Sequence, residues 1–156
     1  MQEHVAQTGR GIAHRADKVF EIMEGKPYKW GGKNTNGFDC SGFVAYVFEQ
    51  LFPERAAAFR TNVAGYMASP HFEQVDTPQA GDLIIFPEQV TGPYKGVNHI
   101  GIVQNEHGWV GSQSSTGVSF VLFSKPGYWS KRPKYFLRYK YSSTQAISSY
   151  LQSIGR

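Results

Sequence analysis

Cysteine occurs once in these 156 residues, in the run Phe38-Asp39-Cys40-Ser41-Gly42-Phe43-Val44, directly before an apolar stretch that reads as a buried helix. His99 follows far downstream in Asn98-His99-Ile100-Gly101-Ile102-Val103, which reads as a strand. A thiol at a helix start, with an imidazole available elsewhere in the fold, is the pattern of an activated cysteine nucleophile. The reactive species is the thiolate. A helix N-terminus favours it, because unpaired backbone N–H groups and the positive end of the helix dipole point at the sulfur. A cysteine taken alone reads as a small, inert core residue; the residues around Cys40 decide otherwise. His4, His14, His71 and His107 lack such company and read as structural or surface residues.

The elements that must position this pair can be traced along the chain. Residues 1–11 read as a polar lead-in. Ile12, Ala16, Val19, Phe20 and Met23 recur at helical spacing up to Glu24, and Gly25 and Pro27 end the pattern. Residues 28–38 form a glycine- and asparagine-rich loop in which Gly31-Gly32 suggests a close backbone approach. A second helix runs from about Cys40 to Leu51, capped by Asp39 and stopped by Pro53, with Phe43, Val44, Val47, Phe48 and Leu51 as its buried stripe. A short helix over residues 62–68 has Asn62 as its cap. Beyond Asp82 the period changes to that of strands, at 83–86, 99–104, 109–113, 118–123 and 135–139. Helices first and closely connected short strands after predict an α+β fold with an antiparallel sheet. In the strand at 99–104, alternation puts His99, Gly101 and Val103 on one face and Ile100 and Ile102 on the other. Small Gly101 beside His99 is expected to let the Cys40 helix approach. Residues 141–156 read as a loosely packed tail or short helix, which leaves one catalytic domain over 12–140.

Bulk composition limits the function classes. Forty per cent hydrophobic and 15% aromatic residues, with 17 glycines and eight prolines, describe a globular chain rich in turns and short strands. One cysteine excludes an intrachain disulfide. The net charge of +4 favours polyanions in general, and the densest basic cluster, Lys125, Lys131, Arg132, Lys134, Arg138 and Lys140, reads residue by residue as a solvated face. There is no paired-ligand spacing for zinc, no phosphate-cradling glycine motif and no nucleic-acid reading motif, so neither a metal, a cofactor nor a nucleic-acid partner is expected. No run reaches membrane-spanning length, and the first residues have no apolar core for a signal peptide.

Four motifs stand in one order: Tyr28-x-Trp30-Gly31-Gly32, Asp39-Cys40-Ser41-Gly42-Phe43-Val44, Ala80-Gly81-Asp82-Leu83 and Asn98-His99-Ile100-Gly101-Ile102-Val103. Together they resemble the NlpC-type cell-wall cysteine peptidases, compact papain-like enzymes that hydrolyse amide bonds in peptidoglycan stem peptides. The resemblance covers residues from about 12 to 140. It implies a papain-like fold, N-terminal helices packed on a five- to six-stranded antiparallel sheet, with Cys40 as nucleophile and His99 as base. The chain departs from the family at the third catalytic position. Relatives commonly carry a polar residue there, often histidine, to fix the imidazole's tautomer. Ungapped alignment of residues 109–118 puts Gly111 at that place. Gln113, two residues on and on the same face, can accept from the ring N–H, as can a backbone carbonyl near Gly111; Gln113 is the preferred residue. Ser112 points the other way.

The same resemblance assigns substrate contacts. Tyr28, Asp39 and Ser41 match positions that, in relatives cutting between D-glutamate and the diamino acid, hold the free amine of the stem peptide's L-alanine. A carboxylate with two hydroxyls suits an ammonium group. Asp39 as helix cap and Tyr28 as packing residue are compatible with those roles. The oxyanion hole is expected from the Cys40 N–H and a neighbouring donor such as Tyr28. The implied activity is a cysteine-dependent peptidoglycan hydrolase, a D-glutamyl–diamino-acid endopeptidase. Trp109-Val110-Gly111-Ser112 resembles small delivered amidase effectors. A bare catalytic domain of this size, with no signal peptide and no wall-binding module, likewise resembles a delivered toxin or a phage-associated lysin. The expectation is therefore a monomer, made in the cytoplasm and acting in the periplasm or at the wall, with an immunity protein or a secretion or phage-tail component as partner. Two other readings compete: a thiol acyltransferase or non-wall amidase on the same scaffold, and a non-catalytic binding or phage-structural module, which the missing histidine favours.

Overall fold

The computed structural model describes residues 2–24, 33–34, 37–93, 95–96 and 98–140. Tyr28, the Trp30-Gly31-Gly32 motif and the 141–156 tail lie outside the described residues. In chain order the elements are helix α1 (Gln2–Met23), strands β1 (Lys33–Asn34) and β2 (Gly37–Phe38), helix α2 (Cys40–Leu51) and a 3-10 segment (Pro53–Phe59). Helix α3 (Val63–Ala68), strands β3 (Phe72–Val75), β4 (Leu83–Phe86), β5 (His99–Asn105), β6 (Gly108–Gln113) and β7 (Gly117–Leu122), helix α4 (Tyr128–Lys131) and strand β8 (Tyr135–Tyr139) follow. The α+β class is as the sequence implied, with a six-stranded antiparallel sheet.

The strand order is β3-β8-β4-β5-β6-β7. Strands β4 to β7 form a meander, whereas β8 returns to lie between β3 and β4, pairing Leu137 with both Leu83 and Gln74. The sheet is buried on both faces. Toward the helices, Leu83, Ile85, Ile100, Ile102 and Val110 pack with Ile12, Ala16 and Val19 of α1 and Phe43, Val44, Val47 and Phe48 of α2. On the other face Ile84, Phe86, Val103 and Trp109 form a second cluster, covered by Trp129 and Phe136. This two-sided burial explains why β4 reads Leu-Ile-Ile-Phe without alternation.

Helix α2 begins and ends as its residues dictate. The Asp39 side chain caps it by accepting from the Gly42 N–H at 2.6 Å, and Pro53 turns the chain into the 3-10 segment. The Asn62 cap of α3 accepts from Gly65 N–H at 2.9 Å. Helix α1 takes in residues 2–11, the stretch that reads as a polar lead-in. It starts at Gln2, ahead of the Ile12 start that the apolar spacing predicts. Gly9 sits so close to the turn before β4 that a Cβ there would come 2.3 Å from the Ala80 carbonyl oxygen.

Two readings are corrected. Gly101 does not make room for the Cys40 helix. It lies on the opposite face, where a Cβ would come 2.4 Å from Cε3 of Trp109, so its smallness accommodates an indole. The basic cluster is not one solvated face either. Arg132 is 1% exposed beneath the aromatic layer, and Arg138 forms a two-pronged pair with the buried Asp82 carboxylate at 2.9 and 2.8 Å.

Candidate active site

Cys40 opens α2 with its side chain 7% exposed. The backbone N–H groups of Ile100, Ser41 and Cys40 itself favour the thiolate, as expected for a sulfur at a helix start. Burial outweighs them, and the adjacent Asp39 carboxylate adds to it, so the thiol is pushed up to about 11. The Ile100 contact has a structural meaning as well: the sulfur meets the backbone of β5 one residue beyond His99, which joins the helix start to the strand start.

Asp39 serves more than the cap. Its Oδ1 also accepts from the Ser41 hydroxyl at 3.3 Å, so Asp39 and Ser41 form one polar pair flanking Cys40. Tyr28, the third residue assigned to the same amine site, is outside the described residues.

His99 is 6% exposed, in a box of rings. Its centroid lies 4.8 Å from Trp129, 5.8 Å from Trp109 and 6.1 Å from Phe86. Burial drives its pKa down to about 4; the bond to Gln113 works against this, and the Arg132 cation adds to it. The Arg132 guanidinium, beneath the same rings, donates to the Phe86 carbonyl at 3.2 Å and to Tyr128 Oη at 3.2 Å. At neutral pH the site therefore holds a thiol and a neutral imidazole. Burial of both groups thus works against the thiolate that the helix N-terminus favours.

The strand alignment brings the proposed third residue to the ring. Ile102 faces Val110 and Val103 faces Trp109 across β5 and β6, and continuing that register puts His99 opposite Gln113. Nε2 of His99 lies 3.1 Å from Oε1 of Gln113, so the ring N–H donates to the amide oxygen. The Gln113 amide nitrogen in turn donates to Oγ and to the carbonyl oxygen of Ser119 on β7. Gly111 makes this possible, since a Cβ there would come 2.7 Å from Gln113 Oε1. Ser112 is fully buried on the face opposite Gln113.

The ring box, Arg132 and Ser119 are site residues that sequence reasoning missed. Trp129 follows a turn and has no periodic context, and nothing local distinguishes Arg132 from its exposed neighbours. Near the start of β5, a cavity of about 290 Å³ is lined by Ala64, Met67, Ala68, Pro87, Glu88 and Asn98. Among the described residues no cluster of His, Cys, Asp and Glu could hold a metal ion, and no helix is long and apolar enough to cross a membrane.

Several known proteins are similar to this chain in sequence or fold. The probable peptidoglycan endopeptidase LytE of Bacillus subtilis is 35% identical over 115 residues, which are 74% of this chain and 30% of LytE. A probable endopeptidase of Haemophilus influenzae is 36% identical over 107 residues, 69% of this chain and 62% of the relative. The chain thus spans about a third to under two thirds of the length of these relatives. The solved NlpC/p60 domain of the peptidoglycan hydrolase SagA superposes with a TM-score of 0.58 at 27% identity, covering 83% of this chain and 97% of that domain. NlpC2 from Trichomonas vaginalis shares the fold with a TM-score of 0.61 at 20% identity, over 83% of this chain and 47% of its own. The NlpC/P60 family pattern matches residues 25–138, a stretch that holds Cys40, His99 and Gln113 and both faces of the central sheet, and the chain belongs to the NlpC/P60 family.

Proposed function

We propose that this protein is a cysteine-dependent peptidoglycan hydrolase that cleaves an amide bond in stem peptides. The observation that carries the reading is the His99–Gln113 bond. It occupies Nε2 and leaves Nδ1 as a base, on a residue whose neighbour Ile100 meets the sulfur of Cys40. In the reaction, Nδ1 of His99 takes the thiol proton as Sγ attacks the scissile carbonyl carbon, with the oxyanion received by the Cys40 backbone N–H. The imidazolium then gives that proton to the leaving amine, and a thioester remains on Cys40. Water, deprotonated by His99, attacks the thioester and releases the acid and the thiol. Because thiol and imidazole start neutral, proton transfer accompanies attack instead of preceding it. Gln113 and the ring box hold the imidazole through each exchange.

For specificity we carry the same reading further, to a D-glutamyl–diamino-acid endopeptidase. Asp39 supplies a carboxylate beside the nucleophile and Ser41 a hydroxyl bonded to it, the chemistry that a free L-alanine ammonium requires. The names of LytE and of the DL-endopeptidases CwlO and CwlT support wall peptide as the substrate class. Action at the cell wall follows from that substrate. Delivery as an antibacterial effector or phage lysin, with an immunity or tail protein as partner, is supported by the likeness of Trp109-Val110-Gly111-Ser112 to small amidase effectors.

The test is incubation of purified muropeptides with the protein and its Cys40→Ala variant, followed by mass analysis of the products. A new free amine on the diamino acid, absent with Cys40→Ala, is the expected result. Turnover retained by Cys40→Ala, or no product from any stem peptide, rejects the reading.

A further inference from the structure

We infer, on the hydrolase reading proposed above, that Ser119 is a positioning residue: it locks the Gln113 amide in one orientation and thereby holds His99 in its Nε2–H tautomer. The two ends of a glutamine amide are nearly the same shape, so orientation must be set by its hydrogen-bond partners. The end that faces His99 decides which ring nitrogen carries the proton, and so whether the other nitrogen is free to act as a base.

Two features of Ser119 set that choice together, and both are needed to hold the amide in one orientation. Its main-chain carbonyl lies 3.4 Å from the Gln113 amide nitrogen, and a carbonyl oxygen accepts only. Its hydroxyl has one proton and two outlets for it away from Gln113: the Gly117 carbonyl at 3.3 Å and the Thr116 hydroxyl at 2.7 Å. With the proton in either outlet, the hydroxyl oxygen faces Gln113 as an acceptor, and the amide must present its NH2 group there. Turning the amide over would set its oxygen against the Ser119 carbonyl and hydroxyl oxygens. It would also aim an N–H at Nε2 of His99, which demands the opposite tautomer and leaves Nδ1 protonated.

Strand register explains why Ser119 can do this. On β6 and β7, Gln113 pairs with Gly117 and Gly111 with Ser119, so Ser119 is the same-face diagonal neighbour of Gln113. Gly111, directly opposite Ser119, has no side chain and leaves a lane through which the amide reaches both His99 and Ser119. A row of His99, Gln113 and Ser119 across three strands results, and Thr116 in the β6–β7 turn completes it.

The experiment is nitrogen-15 NMR of the His99 imidazole in the full chain without substrate at neutral pH, alongside kcat and KM on muropeptides. Wild type, Ser119→Ala, Ser119→Thr and Gln113→Glu are compared, each checked for native amide dispersion. The wild-type ring is expected as a single Nε2–H tautomer. Ser119→Ala should mix in the Nδ1–H form and lower kcat about fivefold or more with little change in KM, and Ser119→Thr, which keeps the hydroxyl, should restore both readouts. Gln113→Glu should shift titration of His99 upward, because a carboxylate favours the imidazolium. An Nδ1–H tautomer in the wild type overturns the inference, as does a Ser119→Ala variant with unaltered tautomer and kcat. If the tautomer responds to Ser119 while the wild type cleaves no muropeptide, the positioning role stands and the hydrolase reading falls.

Discussion

Gly111→Ala isolates the orientation of His99 from the stability of the fold. A Cβ at residue 111 would lie 2.7 Å from Gln113 Oε1, 3.0 Å from Trp109 Cζ3 and 3.4 Å from the Gly101 Cα. Carbon and oxygen settle at about 3.3 Å or more, so Oε1 must retreat by about 0.6 Å. The amide cannot swing freely, because Ser119 holds its nitrogen end. Starting from 3.1 Å, a retreat of that size carries the His99 contact out of hydrogen-bond range. A buried ring N–H left without its acceptor forfeits about 1–3 kcal/mol, which corresponds to a roughly 5- to 150-fold lower kcat/KM. Stability should fall by no more than about 2 kcal/mol, the cost of the lost bond less what alanine returns. Residue 111 is not at a positive φ, the displaced oxygen ends a flexible side chain, and alanine restricts the unfolded chain by about 0.4–1 kcal/mol. Muropeptide turnover and a urea unfolding midpoint measured on the same samples give both numbers. Unchanged turnover would refute the reasoning, and so would an activity loss matched by more than about 2 kcal/mol of lost stability.

Three further outcomes follow from the same geometry. The rate kcat/KM should rise through pH of about 4, where His99 becomes neutral, stay level through neutrality and change again only near 11, where Cys40 ionises; an acid limb near 6.5 in a pH–rate profile would contradict the buried ring. Folding stability should fall as pH drops from 6.5 to about 4, because the unfolded chain binds a proton that native His99 refuses, by at most about 3 kcal/mol; urea titrations across that window measure it. Asp39→Asn keeps a helix cap but removes the charge that raises Cys40, so iodoacetamide should alkylate the thiol faster below a pH of about 9 while KM for stem peptides with a free amine increases.

Much of this molecule is legible in its sequence, wherever the signal is local. Asp39 and Pro53 bound α2 by their own chemistry, Asn62 begins α3 for the same reason, and strands β4 to β7 show in branched and aromatic runs separated by turn residues. Cys40 and His99 stand out because a thiol at a helix start and an imidazole opening a strand, each inside an ordered motif, share one chemistry. The choice of Gln113 over a backbone carbonyl near Gly111 was narrowed by period-2 alternation, which put its side chain on the face of His99.

Other features depend on residues far apart in the chain. The slot of β8 between β3 and β4, and β3 itself as a four-residue edge, follow from non-local pairing that no window of sequence contains. Arg132 and Lys131 are adjacent and alike on paper, yet one is buried against Phe86 and Trp129 and the other is exposed. Gly101 looked like space for a helix and proved to be space for Trp109. The types of the candidate reacting groups were thus written in the chain itself. Their protonation states, and the path from Ser119 through Gln113 to His99, were decided by strand register and burial, because desolvation and hydrogen bonding act between groups that only the folded sheet makes neighbours.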